Sequence, residues 1–284
     1  LDLTTPYYIN LAPNRDITLY PRIVGRRGVQ LGTEYRFLNK KQAGEIGLQL
    51  LPTDRITNKD RWLARVSHTF RLSSNNSFGL SAIRVSDNNY FADFGASVLA
   101  ASQRILPATV QINGNFQGWQ YLTMFQKYQV LQDPGAPILP PYEWSPRIRF
   151  SNNRILKINK LDIDASGIFE MTHFTHPSMA EGTRIVGDAN FSSPLLIGGV
   201  RLMPQFGMHL TSYSHSKNGS QYLTQNRFGI GDSLIGVYAN NVGHTPSYTR
   251  ILPSISIEAS SILERGTEFK EKKYTHTLEP KLFY

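Results

Sequence analysis

The chain has 284 residues and no cysteine, which excludes a disulfide scaffold, a thiolate zinc site and a cysteine nucleophile. It carries 30 basic and 21 acidic residues, a formal net charge of +9, although charged residues make up only 18% of the sequence. Hydrophobic residues make up 40%, which excludes intrinsic disorder, and no run of 18 apolar residues occurs, which excludes a transmembrane helix. Because the sequence begins at Leu1 without Met and has no signal peptide, we expect a segment of a longer protein.

Apolar and polar residues alternate along several stretches of the chain, and Val29–Leu38 shows the pattern well. In that stretch Val29 and Leu31 belong to one face, and Gln30 and Glu34 belong to the other. The same period recurs over residues 46–50, 61–72 and 161–172. A period of two indicates β-strands with one apolar and one polar face.

Turn residues separate these stretches. Compact turns are predicted at Pro13-Asn14, Gly25–Gly28, Ser73–Asn76 and Lys217–Ser220. Asp133–Pro141 predicts a longer, proline-stiffened loop, either a surface lid or a plain connection. No long stretch has a helical period, and Asp93–Leu106 is compatible with either a helix or a strand. The whole chain predicts one all-β domain with roughly 12 strands.

Alternation alone does not decide whether the apolar faces pack inward, as in a soluble all-β protein, or face lipid, as in a membrane barrel. Three features favour the antiparallel transmembrane β-barrel. Many strands are about 9–11 residues long, which suits a tilted bilayer crossing. Arg and Glu recur in the middle of the polar faces, as in a hydrated lumen. Aromatic residues gather near strand ends, as in an interfacial girdle: Tyr7, Tyr8, Tyr20, Trp62, Trp119, Tyr121, Tyr142, Trp144 and Tyr284.

An ordered series of short blocks is more specific than this pattern. The first block is Pro6–Asp16, and the others follow in order: Leu19–Arg22, Arg27–Leu31, Glu34–Leu38, Leu51–Asp54, Val85–Phe94, Arg250–Pro253 and Thr277–Tyr284. In this order the blocks resemble the barrel domain of the lipopolysaccharide-assembly outer-membrane proteins, the LptD family, also called organic-solvent-tolerance proteins. The resemblance runs from end to end and is weakest between about Ile105 and Gly243.

The resemblance implies that residues 1–284 are the N-terminal portion of a larger outer-membrane barrel domain, a partial barrel ending roughly halfway round. It implies translocation of lipopolysaccharide into the outer leaflet of a Gram-negative outer membrane, without covalent chemistry, cofactor or metal. It also implies contact with membrane lipid, a plug lipoprotein inside the barrel and a periplasmic bridge protein that delivers the cargo. A half barrel has two edges with unpaired backbone groups, so we expect this segment to need its remaining strands.

The resemblance further implies a lateral gate between the first and last strands, weakened by prolines in the first two. Pro6 and Pro21 match the paired gate prolines in context and spacing, with Tyr7, Tyr8 and Asn10 as gate neighbours. Proline lacks the N–H that a strand ladder needs, which supports this role. The alternative is that both prolines merely begin or edge a strand, a common position for proline.

Other readings have weaker support. Basic residues such as Arg65 and Arg71 suit either phosphate recognition or ordinary lumen charge, and no basic helix or aromatic RNA motif indicates nucleic-acid binding. An enzyme is not expected, although Asp162 and Asp164 with a histidine would suit a barrel hydrolase. His173 and His176 have a spacing that suits a metal on a helix better than on a strand end. Gly229-Ile230-Gly231 is too short for a dinucleotide fingerprint.

Overall fold

The computed structural model describes residues 2–95, 97–159, 161–215, 247–269 and 272–284. Two short helices occur among them, α1 (Tyr90–Phe94) and α2 (Val98–Ala101). The strands are β1 (Asp2–Thr4), β2 (Tyr7–Ala12), β3 (Arg15–Val24), β4 (Gly28–Leu38), β5 (Gln42–Asp54), β6 (Lys59–Arg71), β7 (Asn76–Val85), β8 (Ile105–Phe116), β9 (Trp119–Val130), β10 (Glu143–Ile158), β11 (Leu161–Thr175), β12 (Gly182–Ser192), β13 (Leu195–Ile197), β14 (Val200–His215), β15 (Tyr248–Ser261), β16 (Leu263–Phe269), β17 (Lys272–Leu278) and β18 (Lys281–Phe283).

Antiparallel pairing between neighbours in the sequence builds one long sheet. Its 16 strands within the described ranges follow the order β1-β3-β4 and so on to β12-β14-β15-β18, while β2 pairs with β3 and β13 with β14. β16 and β17 form a separate hairpin. The prediction of an all-β antiparallel fold with roughly a dozen long strands is confirmed. The described sheet does not close: the first strands lie at one edge and β15 with β18 at the other.

The two faces of the sheet differ as the alternation predicts. The register pairs Leu31 with Leu50 and Thr33 with Leu48, so the apolar positions of β4 and β5 lie on one common face. This apolar face is open, and the side chain of Ile255 on β15 is 81% exposed. Glu34 and Arg65 lie on the opposite, polar face, where they form an ion pair. In a closed barrel, such faces would meet lipid and a wet lumen respectively.

The two ends of the sheet also differ. Short turns join the strands at one end, including Pro13-Asn14 and the turn after Arg71, and we call this the turn end. The longer connections 86–104 and 131–142 lie at the other end, the loop end, together with the turn after Val24. The predicted turns at 13–14, 25–28 and 73–76 and the loop at 133–141 are confirmed. The predicted turn at Lys217–Ser220 lies outside the described residues, as does Gly229–Gly231.

The connection between β7 and β8 contains both helices of the described residues. Of the ambiguous stretch Asp93–Leu106, residues 98–101 form α2 and strand β8 begins at Ile105. α1 precedes them and packs Tyr90, Phe91 and Phe94 onto the polar face at the loop end. Four buried strand residues and one residue just after β9 complete this small core: Leu51, Leu63, Val85, Leu106 and Leu131. None of the described helices is long and apolar enough to cross a membrane.

Candidate functional site at the first-strand edge

The first strand of the sheet is interrupted. β1 and β2 both pair with β3 in one continuous register, because Thr4 lies opposite Arg22 and Tyr7 lies opposite Leu19. The break between them falls at Thr5 and Pro6. On its other side this strand pairs with no other described strand, so it is the edge of the sheet.

Pro21 removes one bond from the ladder that holds the first strand. The backbone N–H of Thr5 donates to the carbonyl oxygen of Pro21 at 3.1 Å. Residues opposite each other in such an antiparallel pair normally exchange two bonds. The reciprocal bond to the Thr5 carbonyl is missing because Pro21 has no N–H. The pairing of Pro21 with Leu31 on β4 loses nothing, since in that ladder Pro21 occupies a non-hydrogen-bonded position.

Pro6 acts on the opposite side of the same strand. Amide directions alternate along a strand, and the Thr5 amide faces β3. The nitrogen of Pro6 therefore faces the open edge, where it offers no N–H to any strand that would join there. The two prolines, one residue pair apart in register, thus weaken the first strand on both of its sides.

The other expected gate residues lie just beyond this break. Tyr7, Tyr8 and Asn10 are exposed on β2, opposite Leu19, Thr18 and Asp16 of β3. In the described part of the chain, no side-chain hydrogen bond or ion pair joins β2 to β3. The pairing of β2 therefore rests on its backbone bonds and on partly exposed apolar contact.

The loop-end half of the first strand is held differently. The Nε and Nη2 atoms of Arg22 donate to the two carboxylate oxygens of Asp2 at 2.8 and 2.5 Å. The Nη1 atom of Arg22 also donates to the carbonyl oxygen of Phe94 at 3.2 Å, at the end of α1. One guanidinium thus joins β1, β3 and α1.

α1 itself rests on buried polar groups. The Tyr90 hydroxyl accepts from the Gln30 Nε2 atom and donates to the Gln49 Oε1 atom, both at 2.9 Å. Burial raises the pKa of Tyr90 to about 12, although the hydrogen bond from Gln30 and the nearby arginines lower that pKa in part. At neutral pH the hydroxyl therefore stays protonated and keeps its donor bond to Gln49.

A cluster of charged residues surrounds the same helix. Arg27 contacts Asp54 and Asp93, each at 2.6 Å from an Nη atom to a carboxylate oxygen. Arg61 bonds Asp54 at 3.0 Å and Asp93 at 2.9 Å, and its guanidinium lies 4.8 Å from the centre of the Phe94 ring. The Asp54 side chain is fully buried. Removing one member of such a cluster leaves buried charge uncompensated, so the cluster fixes α1 in place.

Sequence reasoning missed this anchoring site, although a signal for it exists. In Leu50-Leu51 and Trp62-Leu63 two apolar residues follow each other, which breaks the alternation. Leu51 and Leu63 are buried on the polar face, under α1. These consecutive apolar residues therefore mark where a helix also covers the polar face of the sheet.

Of the basic residues weighed as phosphate ligands, Arg65 forms ion pairs on the polar face, as ordinary lumen charge would. Arg65 bridges Glu34 and Glu45, at 2.5 and 2.8 Å from its Nη2 atom. A second cluster reverses this arrangement, since one carboxylate, Glu170 on β11, accepts from Arg147 at 2.7 Å and from Arg184 at 3.0 Å.

The residues of the hydrolase alternative do not come together. Asp164 lies near the turn end of β11, beside a polar cavity of about 420 Å³. His173 lies nine residues further along the same strand, about 30 Å away at the usual rise, and contacts Thr183 instead. His176 bonds the Pro140 carbonyl. No group of three metal-ligating residues occurs among the residues that the structure describes.

Sequence analysis did not single out a row of three hydrogen-bonded side chains on β12 and β14, namely Asp188, His209 and Thr211. The Asp188 Oδ1 atom lies 2.5 Å from the His209 Nδ1 atom, and the His209 Nε2 atom lies 2.6 Å from the Thr211 hydroxyl. Because Thr211 is buried, its hydroxyl is closed to a substrate, and the row serves to join the two strands.

Comparison with known proteins identifies relatives along the whole chain. The family model described as "LptD: LPS transport system D" matches residues 59–284. An LPS-assembly protein LptD of Ralstonia nicotianae is 31% identical over 287 residues, which cover 100% of this chain and 33% of that protein. The proteins of that name from Bordetella parapertussis and an Azoarcus species are 33% and 32% identical, with 35% and 33% of their length covered. The chain thus spans about a third of the curated relatives that it matches.

Proposed function

Because the chain belongs to the LptD family, we propose that the protein of which it is a part inserts lipopolysaccharide into the outer leaflet of a Gram-negative outer membrane. Residues 1–284 then form the first part of its barrel domain. The unclosed sheet supports this assignment, since its two edges need further strands before it can span a bilayer. The share of the curated relatives that the chain covers leaves room for those strands.

The physical task explains why a barrel should open sideways. Lipopolysaccharide combines acyl chains, which need lipid, with phosphorylated sugars, which need water. The sheet offers both environments, because its apolar side chains share one face and its hydrogen-bonding side chains share the other. A seam that parts between the first and last strands lets the two portions of one molecule travel in different media. Such transfer needs no covalent step, which fits a transporter better than an enzyme.

One observation carries the gate proposal: the Thr5 amide bonds the Pro21 carbonyl, and the return bond cannot form. Each missing ladder bond lowers the stability of a strand pair by about 0.5–1.5 kcal/mol. Pro6 removes a donor from the other side of the strand, toward the closing strand. Pro6 and Pro21 therefore weaken the first strand on both sides, and Tyr7, Tyr8 and Asn10 move with it.

The partners follow from the same assignment. A closed barrel with more strands than the 16 of this sheet encloses a lumen that is wide enough for a folded plug. The polar faces of the strands would line that lumen. We assign that space to a plug lipoprotein, the cargo supply to a periplasmic bridge protein, and the apolar face to membrane lipid. The polar cavity beside Asn153, Asp164 and Asn190 supports a wet, hydrogen-bonding wall.

A disulfide across the seam tests the gate in the full-length protein. Ile9 is the preferred position on the first strand, because its amide faces β3 and it therefore forms a non-hydrogen-bonded pair with a closing strand. The Cα atoms of such pairs lie about 4.5 Å apart, within the range for a disulfide. We expect Ile9→Cys, oxidised to a cysteine opposite it on the last strand, to block delivery of lipopolysaccharide to the cell surface.

The control is a cysteine pair at Ser81 and Thr109, which lie opposite each other within the β7–β8 hairpin. It introduces the same chemistry without crossing the seam and should leave delivery unchanged. Normal delivery with the seam disulfide fully formed would contradict the gate.

A further inference from the structure

The first strand is held unequally along its length. At the loop end, Asp2 of β1 accepts two bonds from Arg22, whose guanidinium also reaches the Phe94 carbonyl at 3.2 Å. At the turn end, β2 contributes no described side-chain hydrogen bond or ion pair to β3. The boundary between these halves is the break at Thr5 and Pro6.

Arg22 is a strong anchor because its own partners are fixed. The Arg22 Nη1 atom lies 3.4 Å from the Gln30 Oε1 atom, and the Gln30 Nε2 atom donates to the Tyr90 hydroxyl. The ring of Phe94 packs 5.0 Å from that of Tyr90 and lies between the guanidinium groups of Arg27 and Arg61, 5.4 and 4.8 Å away. β1 is therefore tied to the best-packed region of the described chain.

We propose that only one half of the first strand moves when the seam opens. β1 stays held to α1 through Arg22, while β2 swings away from β3 about a hinge at Thr5 and Pro6. This inference rests on the lateral gate proposed above and deepens it. Arg22 is then a positioning residue, which contacts no cargo but fixes where the opening ends. The loop-end half of the first strand therefore stays paired with β3, and only the turn-end half moves to widen the seam.

Hydrogen exchange of the full-length protein, in nanodiscs with its partners, measures this difference directly. The amide of Leu3 in β1 and that of Thr5, which adjoins β1 and still bonds the Pro21 carbonyl, report on the anchored half. Those of Tyr7 and Ile9 report on β2, because odd-numbered amides of this strand face β3. We expect the β2 amides to exchange at least roughly tenfold faster than the β1 amides. Equal rates in the unmodified protein would overturn the proposal.

Three variants test the anchor. Arg22→Gln and Asp2→Asn should each raise exchange at Leu3 and Thr5 toward the rate of Tyr7. Asp2 is half-exposed, so its substitution carries little risk to folding. Phe94→Ala should have the same effect because it loosens α1. The described side chain of Phe94 itself forms no bond with β1. If Arg22→Gln folds and leaves the rates at Leu3 and Thr5 unchanged, the anchor does not exist.

Arg36→Gln is the matched control. Arg36 makes the same two-bond contact across neighbouring strands, with its Nε and Nη2 atoms 2.9 and 3.1 Å from the carboxylate of Asp16. It lies at the turn end and has no described contact with α1. We expect Arg36→Gln to leave exchange at Leu3 and Thr5 as it is. A rise equal to that of Arg22→Gln would show general loosening and would count against the anchor.

The result can be separated from the fate of the gate itself. Exchange rates report the mobility of the strand whether or not lipopolysaccharide passes, whereas the seam disulfide reports delivery. If the disulfide leaves delivery intact, the gate proposal is wrong. Unequal exchange would then describe only the mobility of the strand at the edge of the sheet. If the disulfide blocks delivery but both halves exchange alike, the gate stands and the one-sided hinge is wrong.

Discussion

At Pro21 the chemistry of a single residue decides how firmly two strands pair. The Thr5 amide reaches the Pro21 carbonyl at 3.1 Å, so the geometry is right for a pair of bonds and only the second donor is lacking. Restoring that donor needs no movement of the backbone. The site is therefore well suited to substitution, because the change supplies the missing donor.

We predict that Pro6→Ala combined with Pro21→Ala tightens the seam and impairs delivery of lipopolysaccharide. The backbone amide restored at position 21 can bond the Thr5 carbonyl, which adds about 0.5–1.5 kcal/mol to the pairing. Surface lipopolysaccharide per folded protein is the measurement. Pro107→Ala on β8, a proline in a strand far from this edge, is the control. Unchanged delivery in the double variant would exclude these prolines as the weakening elements.

Tyr90 gives a second prediction, for alkaline pH. Burial raises its pKa to about 12 in the folded protein, whereas an unfolded tyrosine titrates at about pH 10. A raised pKa means that the neutral hydroxyl stabilises the folded state below about pH 10, and that this contribution is lost as the pH rises toward about 12. A spin label at the exposed position 92 of α1 should therefore become mobile in that window.

Tyr90→Phe tests the cause, because phenylalanine does not ionise. It should loosen α1 at neutral pH by about 1–3 kcal/mol, since Gln30 and Gln49 lose a buried partner. It should also abolish the alkaline step. Tyr121→Phe, which removes a hydroxyl bonded to Asn76 away from α1, should change neither. A step that persists in Tyr90→Phe would assign the titration to another group.

At the scale of elements, the strands could be read from the sequence and α1 could not. Alternation predicts β4, β6 and β11 because a strand with one wet and one apolar face must have a period of two. α1 has only five residues, too few for a helical period to appear. Its position depends on Asp54 and Arg61, which lie far from it in sequence, and local patterns carry no information on such contacts.

One histidine bonds the loop 131–142 to the loop after β11, beside the bond from the Tyr142 hydroxyl to the Ala180 carbonyl. The His176 Nε2 atom donates to the Pro140 carbonyl at 2.8 Å, and its Nδ1 atom accepts from the amides of Ser178 and Met179. The ring thus ties the loop after β9 to the loop after β11. The prediction that Asp133–Pro141 forms a loop holds, and its attachment makes it a fixed connection at the loop end.

We predict that His176→Ala releases this loop. The carbonyl and two amides lose a buried partner, at a cost of about 1–3 kcal/mol. Limited proteolysis should then cut within 131–142 roughly tenfold faster. His173→Ala is the control, since His173 bonds only Thr183 on the neighbouring strand. Equal cleavage in both variants would mean that other contacts hold the loop.

At the scale of the whole molecule, the two faces of the sheet have different solvents. Neighbouring residues on β15 show this: the Ile255 side chain is 81% exposed on the apolar face, while Ser256 lines the polar cavity. An exposed apolar surface of this extent is unusual for a soluble protein. The exposed apolar face and the family membership therefore both favour a membrane barrel over a soluble all-β protein.

This contrast gives a prediction for the full-length protein. Ile255→Arg should reduce the folded, membrane-inserted fraction, because a charge on the lipid face costs about 2–4 kcal/mol near the bilayer centre. Ser256→Arg, one residue away on the wet face, should be tolerated. The fraction that keeps its folded mobility in an unheated gel is the measurement. Equal loss in both variants would contradict the assignment of the two faces.

The candidate site was predictable in part. Pro6 and Pro21 could be singled out because the blocks around them resemble the family, whereas proline at a strand edge is common in itself. Their exact register could not be read from the turn at Pro13-Asn14, because β2 shifts register between Asn10 and Ala12. Arg22 could not be singled out, since its role depends on the Phe94 carbonyl, 72 residues away in sequence. Composition shows that charges exist, but only the folded chain shows which of them meet.

The missing amide at Pro6 also bears on how the barrel is made. Most pairings in this sheet join neighbours in sequence and can form early, whereas the pairing that closes a barrel joins strands hundreds of residues apart and comes late. Until then the first strand is an exposed template, open to any passing chain with free donors and acceptors. A proline on that edge removes a backbone N–H that such a chain would need in order to pair. If Pro6 eases the seam apart in the finished barrel, as we propose, the same residue would also protect the unfinished barrel from aggregation.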